Sequence, residues 1–186
     1  MNTQIIPGSI GALARQGGKS IAETFMSADC ICIVDVSGSM AAHDSRDGMS
    51  RYDVACDELA ALQNSLPGKI AVISFSDRTE FCPNGTPGLP SGTTDLAGAL
   101  KFARVADVPG MRFIVISDGE PDDANAALRE AAKYKNRIDT IFVGPERNPH
   151  GRDFLECLAK ASGGQAIIAD LAKELKAGVE RLLLKG

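Results

Sequence analysis

Three short polar clusters in this 186-residue sequence carry residue types suited to holding a divalent cation. The first is Asp35-Val36-Ser37-Gly38-Ser39, the second Gly92-Thr93-Thr94-Asp95 and the third Ser117-Asp118-Gly119-Glu120. Together they offer hydroxyls from Ser37, Ser39 and Thr94 and carboxylates from Asp35 and Asp118. These are hard oxygen donors with no His or Cys among them, a set that favours Mg2+, Mn2+ or Ca2+ over zinc. With so few carboxylates, an ion that reaches them only through water is under-neutralised and draws an external anion. A turn leaving a strand can aim every second side chain at one point, which accounts for the alternation Asp35, Ser37, Ser39, and Gly38 permits the tight backbone.

Such clusters need a frame that brings them together, and the hydrophobic pattern supplies one. Residues 28–34 form a near-continuous apolar run, as a strand buried on both faces requires. Residues 70–75, 113–116, 138–143 and 166–168 repeat that pattern, and a short edge strand is expected at 79–82. Between them lie helical stripes. Tyr52, Ala55, Leu59, Leu62 and Leu66 step by three and four behind the N-cap Ser50, and Pro67-Gly68 ends the run. Leu96, Ala99, Leu100 and Ala103 mark a second helix, Ala127, Leu128 and Ala131 a third, and residues 153–161 a fourth. Leu171, Leu175, Val179 and Leu182 stripe a C-terminal helix capped by Asp170. Alternating strands and helices predict a mainly parallel sheet with helices on both faces, whose ligands bind beyond the carboxyl ends of the strands. All three clusters fall there.

Residues 1–27 stand apart as a helical segment or arm, with Ile10, Leu13 and Ala14 on one short face and Ile21, Phe25 and Met26 on another. The main domain is 28–186. The composition is that of a globular chain, 44% hydrophobic and 24% charged. A net charge of −4 argues against general nucleic-acid binding. Five cysteines without a regular framework read as buried, reduced thiols, with Cys30 and Cys32 on the same side of one strand. No secretory signal or membrane-length apolar run is evident, so a cytoplasmic location is expected.

The order and spacing of the three clusters resemble the von Willebrand factor type A (vWA) domain. Asp35-Val36-Ser37-Gly38-Ser39-Met40 looks like its DxSxS motif. Gly92-Thr93-Thr94-Asp95-Leu96 resembles the GGT segment, and the register of Ala99-Leu100 puts Thr94 on the metal-ligand threonine. Residues 114–119, reading IVISDG, are similar to the strand ending in the third metal aspartate, here Asp118. The resemblance spans residues 28–185 and is to a small, stand-alone, bacterial-type member. It implies a doubly wound, Rossmann-like α/β fold, with a mostly parallel sheet and one short antiparallel edge strand. It also implies an intact metal-ion-dependent adhesion site for Mg2+ or Mn2+. There Ser37 and Ser39 bind directly, Asp35 and Asp118 largely through water, and Thr94 by either route. A carboxylate from a partner protein completes the shell. Intracellular relatives serve in complexes, some with AAA+ ATPases, and in some relatives the C-terminal helix shifts with the state of the metal site.

Two features are particular to this chain. The segment 41–50 is long, lies beside the expected metal and suits a specificity loop or lid. Asp44, Asp47, Glu120, Asp122 and Asp123 make the rim acidic, offset by Arg46, Arg51 and Arg78, while His43 and His150 read as surface residues. The last three acids of that rim also read as loop and helix N-terminal charges. Gly17-Gly18-Lys19-Ser20 is no phosphate loop, because Leu13 stands where its first glycine belongs. The enzymatic alternative is a metal-dependent phosphoryl-transfer or hydrolytic activity with Asp35 as nucleophile. The expectation is a binding domain without catalysis.

Overall fold

A computed structural model describes residues 5–145 and 149–168. Among the described residues six strands form one sheet: β1 (Cys30–Asp35), β2 (Ile70–Phe75), β3 (Thr79–Phe81), β4 (Arg112–Ser117), β5 (Ile138–Phe142) and β6 (Ala166–Ile168). Their order is β3-β2-β1-β4-β5-β6, and every pairing is parallel except that of β2 with the edge strand β3. The helices are α1 (Ile10–Gly17), α2 (Ile21–Phe25), α3 (Arg51–Ser65), α4 (Leu96–Ala103), α5 (Ala124–Ala131) and α6 (Pro149–Ser162). This is the doubly wound α/β architecture that the alternating pattern predicts.

The strands lack polar alternation because both faces are covered. On one face Ile31, Ile33, Ile73, Phe75, Phe113 and Val115 pack under α4, α5 and α6. On the other, Cys32, Val34, Val72, Ile114 and Ile116 pack with Tyr52, Ala55, Leu59 and Leu62 of α3. The chain leaves β1 toward β2 and later returns on the other side as β4. The carboxyl ends of β1 and β4 are therefore neighbours at the switch point, where such sheets open a crevice.

Boundaries differ from the sequence expectation in informative ways. The first strand runs to Asp35, and α6 begins at Pro149, a turn before the predicted 153. Ser50 caps α3 as expected, its Oγ accepting from the Asp53 N–H at 3.0 Å. Cys30 and Cys32 are buried on one face as expected, Cys56 and Cys82 are half-buried, and Cys157 is exposed on α6, against the expectation of a buried thiol. Its position lies on the outer side of the helix, away from Leu155 and Leu158, which face the sheet. The predicted C-terminal helix, with Asp170 and Leu171 to Leu182, lies outside the described residues.

In the N-terminal segment, α1 carries Ile10 into the core, and Phe25 of α2 meets Phe81 edge-on at a centroid distance of 5.6 Å. Ser9 caps α1, and Ser20 with Glu23 forms a capping box on α2. Gly8 lies so close to α3 that an added Cβ would stand 1.9 Å from the Gln63 carbonyl oxygen. Gly8→Ala is accordingly expected to lower stability by about 2 kcal/mol, read as an earlier midpoint in urea denaturation. An unchanged midpoint would mean that this segment is not part of the cooperative unit.

Candidate metal centre

The first cluster begins where β1 stops. Asp35 is fully buried, and both of its oxygens are engaged. Oδ1 accepts from the Ser37 N–H at 2.8 Å, and Oδ2 accepts from the Ser117 hydroxyl of β4 at 2.6 Å. The Ser117 oxygen in turn accepts from the Gly119 N–H at 3.0 Å. Beyond Asp35 the chain makes one more bond to the sheet, Val36 N–H to the Phe75 carbonyl at 2.8 Å, and then enters a 3-10 turn at Gly38–Ala41. That turn sets the Ser37 and Ser39 hydroxyls 3.1 Å apart.

The second cluster is tied to the first through the backbone. Gly38 N–H donates to the Gly92 carbonyl at 3.1 Å, and Ser91 N–H to the Val36 carbonyl at 2.8 Å. Gly92 has a φ of 78°, and a Cβ there would stand 2.7 Å from Asp77 Oδ1, so only glycine fits without strain. Thr94 is buried. Its N–H donates to Asp122 Oδ2 and its carbonyl accepts from the Asp122 N–H, both at 3.1 Å. Asp95 caps α4, accepting from the Gly98 N–H at 2.8 Å.

The third cluster is fixed from two sides. Asp118 is buried, and its Oδ2 accepts from Arg51 Nη1 at 2.6 Å. Behind it the first turn of α6 packs on the backbone, where a Cβ on Gly151 would stand 2.0 Å from the Asp118 carbonyl oxygen. Asp118 Oδ1 is buried without a hydrogen-bond partner among the described residues. A buried carboxylate oxygen left bare is costly unless something cationic or protic reaches it.

The five expected residues thus sit on three adjoining loops at one sheet edge. Asp35, Ser37 and Ser39 are linked directly, Thr94 is tied to them through Gly92 and Gly38, and the charge of Asp118 is felt at Asp35. Among the described residues no three His, Cys, Asp or Glu gather at a point. The donor set is therefore completed by hydroxyls, and it fits a hard cation, with Asp118 Oδ1 as the unclaimed acceptor.

Burial is also what governs Asp35. It raises the carboxyl from 3.8 to about 6, the Ser117 and Ser37 hydrogen bonds pull it back, and Asp118 adds to the rise. Arg51 pulls Asp44 below the usual carboxylate range.

Three contributors were not assigned from sequence. Ser117 ends an apolar strand and faces its parallel neighbour, and its role depends on pairing that sequence does not display. Asp122 reads as a loop charge but joins the Thr94 loop to the Asp118 loop, while Asp123 caps α5 as expected. Arg51 was expected as a rim cation. Its side chain is only 10% exposed and is paired with both Asp118 and Asp44. A signal for this exists: a cation at the first position of a helix opposes the helix dipole and calls for acidic partners.

No family model matches this chain, and no curated protein matches it. Solved structures do. An aerotolerance-related membrane protein from Bacteroides fragilis superposes with a TM-score of 0.68 at 18% identity, over 84% of this chain and 98% of the other. BatB from Bacteroides thetaiotaomicron gives 0.64 at 19%, with the same coverage. Manganese-loaded TRAP protein from Plasmodium vivax gives 0.50 at 19%, over 70% of this chain and 63% of the other. At these identities the likeness concerns the fold alone, the doubly wound α/β architecture described above. No described helix is long and apolar enough to cross a membrane.

The raised Asp35 carboxyl has a thermodynamic consequence without metal. The folded chain keeps that proton to about pH 6 and the unfolded chain only to 3.8, so stability falls as pH rises through this window. The loss amounts to about 3 kcal/mol. Melting in EDTA between pH 4.5 and 7 is expected to show it, and Asp35→Asn to flatten the decline. An unaltered slope in the variant would place the effect elsewhere.

Proposed function

We propose that this chain is a divalent-metal-dependent protein-binding domain. Ser37 and Ser39, with Thr94, hold Mg2+ or Mn2+ through hydroxyl oxygens, and Asp35 and Asp118 reach it through water. The observation that carries this reading is Asp118 Oδ1, a buried and bare acceptor on the same sheet edge as the Ser37 and Ser39 hydroxyls, which stand 3.1 Å apart. The manganese-loaded structural neighbour is in keeping with it.

When bound, the ion supplies an open coordination position for an anionic oxygen. The chain's own contribution is to keep anions out of the direct ligand set. Asp35 is held on Ser37 N–H and Ser117 Oγ, so it fixes the turn rather than competing for the cation. The hydroxyls are neutral, and an Asp or Glu side chain of a partner protein is then the charge-matching ligand. By analogy with intracellular vWA domains, the partner belongs to a multiprotein complex, with an AAA+ ATPase assembly as one candidate.

The enzymatic alternative finds no support in the arrangement. A carboxylate nucleophile needs an oxygen facing its substrate. Asp35 is fully buried, and each of its oxygens already accepts a hydrogen bond from the surrounding backbone or strand.

Titration calorimetry with Mn2+ is expected to give one site on the wild type and none on Asp35→Ala. Because its carboxylates must be ionised, affinity should rise with pH through about 6. In a pull-down, a partner should be retained in Mg2+ and lost both in EDTA and with Asp35→Ala. A partner held equally in all three conditions would overturn the metal-bridged reading.

A further inference from the structure

Arg51 makes three hydrogen bonds at the edge of the metal centre. Its Nη1 donates to Asp118 Oδ2 at 2.6 Å, while Nε and Nη2 donate to Asp44 Oδ1 and Oδ2, both at 2.8 Å. The pair with Asp44 is bidentate, the planar fork geometry that only a guanidinium provides. Asp44 belongs to the 41–50 segment and is 41% exposed, whereas Asp118 is 1% exposed. One side chain therefore spans from a surface loop to a buried ligand.

The placement is demanding. Arg51 is the first residue of α3, where the helix dipole disfavours a cation. A positive charge beside a cation site also repels the incoming ion. Asp44 answers both objections, because its carboxylate neutralises the guanidinium at two points. What remains is geometry: Asp118 Oδ2 is claimed, its side-chain torsion is fixed, and Oδ1 is the oxygen left bare.

We propose that Arg51 is the positioning residue of the metal centre, orienting Asp118 toward the cation, and that Asp44 holds Arg51 in place, coupling the 41–50 loop to metal occupancy. The inference rests on the metal-centre reading above. The coupling is reciprocal: if the loop contact favours metal, metal must favour the loop contact. Arg51 N–H donates to the Ala42 carbonyl at 3.1 Å, and Ser45 Oγ reaches the Val143 carbonyl at 3.5 Å. Of these ties the bidentate, charge-assisted Asp44–Arg51 pair is the strongest.

The test uses Mn2+ alone as probe, with calorimetry and amide hydrogen exchange on the full chain. Arg51→Gln is expected to weaken Mn2+ binding about 10-fold, as loss of a carboxylate-orienting partner does. Arg51→Lys keeps the charge but not the fork and should fall between. Asp44→Asn, at an exposed position that leaves the fold intact, should weaken Mn2+ about 5-fold. In the wild type Mn2+ should slow exchange across residues 41–50, and in Asp44→Asn it should not. If Arg51 were only a repelling charge, Arg51→Gln would bind Mn2+ more tightly, which overturns the proposal. Should Arg51→Gln fail to fold, Asp44→Asn decides. Wild-type affinity together with wild-type loop protection in that variant overturns the coupling. A wild type that takes up no Mn2+ overturns the metal reading itself, so the two failures are distinguishable.

Discussion

The carboxyl of Asp35, buried where β1 meets β4, is the constraint around which the rest of this edge is arranged. A carboxylate out of water must be fully hydrogen-bonded or partly protonated. Here it does some of both. It takes one bond from the turn that follows it and one from the neighbouring strand, and its proton is held to about pH 6. Those two bonds define the site. The first sets the direction in which the chain leaves β1, and so aims Ser37 and Ser39. The second joins the ends of β1 and β4, and so sets Asp118 one residue beyond the contact. The switch of winding direction at this pair of strands supplies the crevice, and Asp35 determines what faces it.

The other loops are then held by close backbone approach rather than by side-chain bulk. Gly92 sits against Asp77, and the chain after Asp118 sits against the first turn of α6 at Gly151. Contacts this tight leave little room to yield without displacing whole elements. The backbone at Asp118 and Gly119 is thereby packed directly on the N-terminal turn of α6, whose C-terminal end leads toward β6. Arg51 forms a second route outward, through Asp44 to the 41–50 segment. The site is linked mechanically to two separate surfaces, one through packed backbone and one through a charge-assisted tie.

Much of this was legible in the sequence, for a physical reason. Strands covered on both faces must be apolar throughout, so β1, β2, β4 and β5 announced themselves, and with them the positions just past their ends. Asp35, Ser37 and Ser39 could be read because the turn after β1 uses period-two spacing over five residues, and Thr94 and Asp118 through the resemblance of their segments to those of a known family. The supporting groups could not, because they depend on which strands are neighbours. Ser117 matters only because β4 lies beside β1. Asp122 matters only because its loop meets the Thr94 loop. Arg51 was read only as a rim cation, because its partners lie 7 and 67 residues away in the chain. Cys157 was misjudged because thiol burial is a tendency of the residue type, whereas its side of α6 is fixed by Leu155 and Leu158.

The mixture of two carboxylates with hydroxyls also has a reason beyond metal preference. A carboxylate only accepts, while a hydroxyl both donates and accepts. Ser37 and Ser39 can share a hydrogen bond across 3.1 Å and still turn lone pairs to a cation. Replacing either by Asp would put a third carboxylate beside two that already oppose one another, since Asp118 raises the Asp35 carboxyl. In the proposed metal centre it would also place an anion in the direct ligand set and remove the electrostatic need for an outside carboxylate. Hydroxyls therefore let the edge fold without an ion and, in the proposed centre, would leave a bound ion short of negative charge. Those are the two properties that a site gripping another protein's acidic side chain requires.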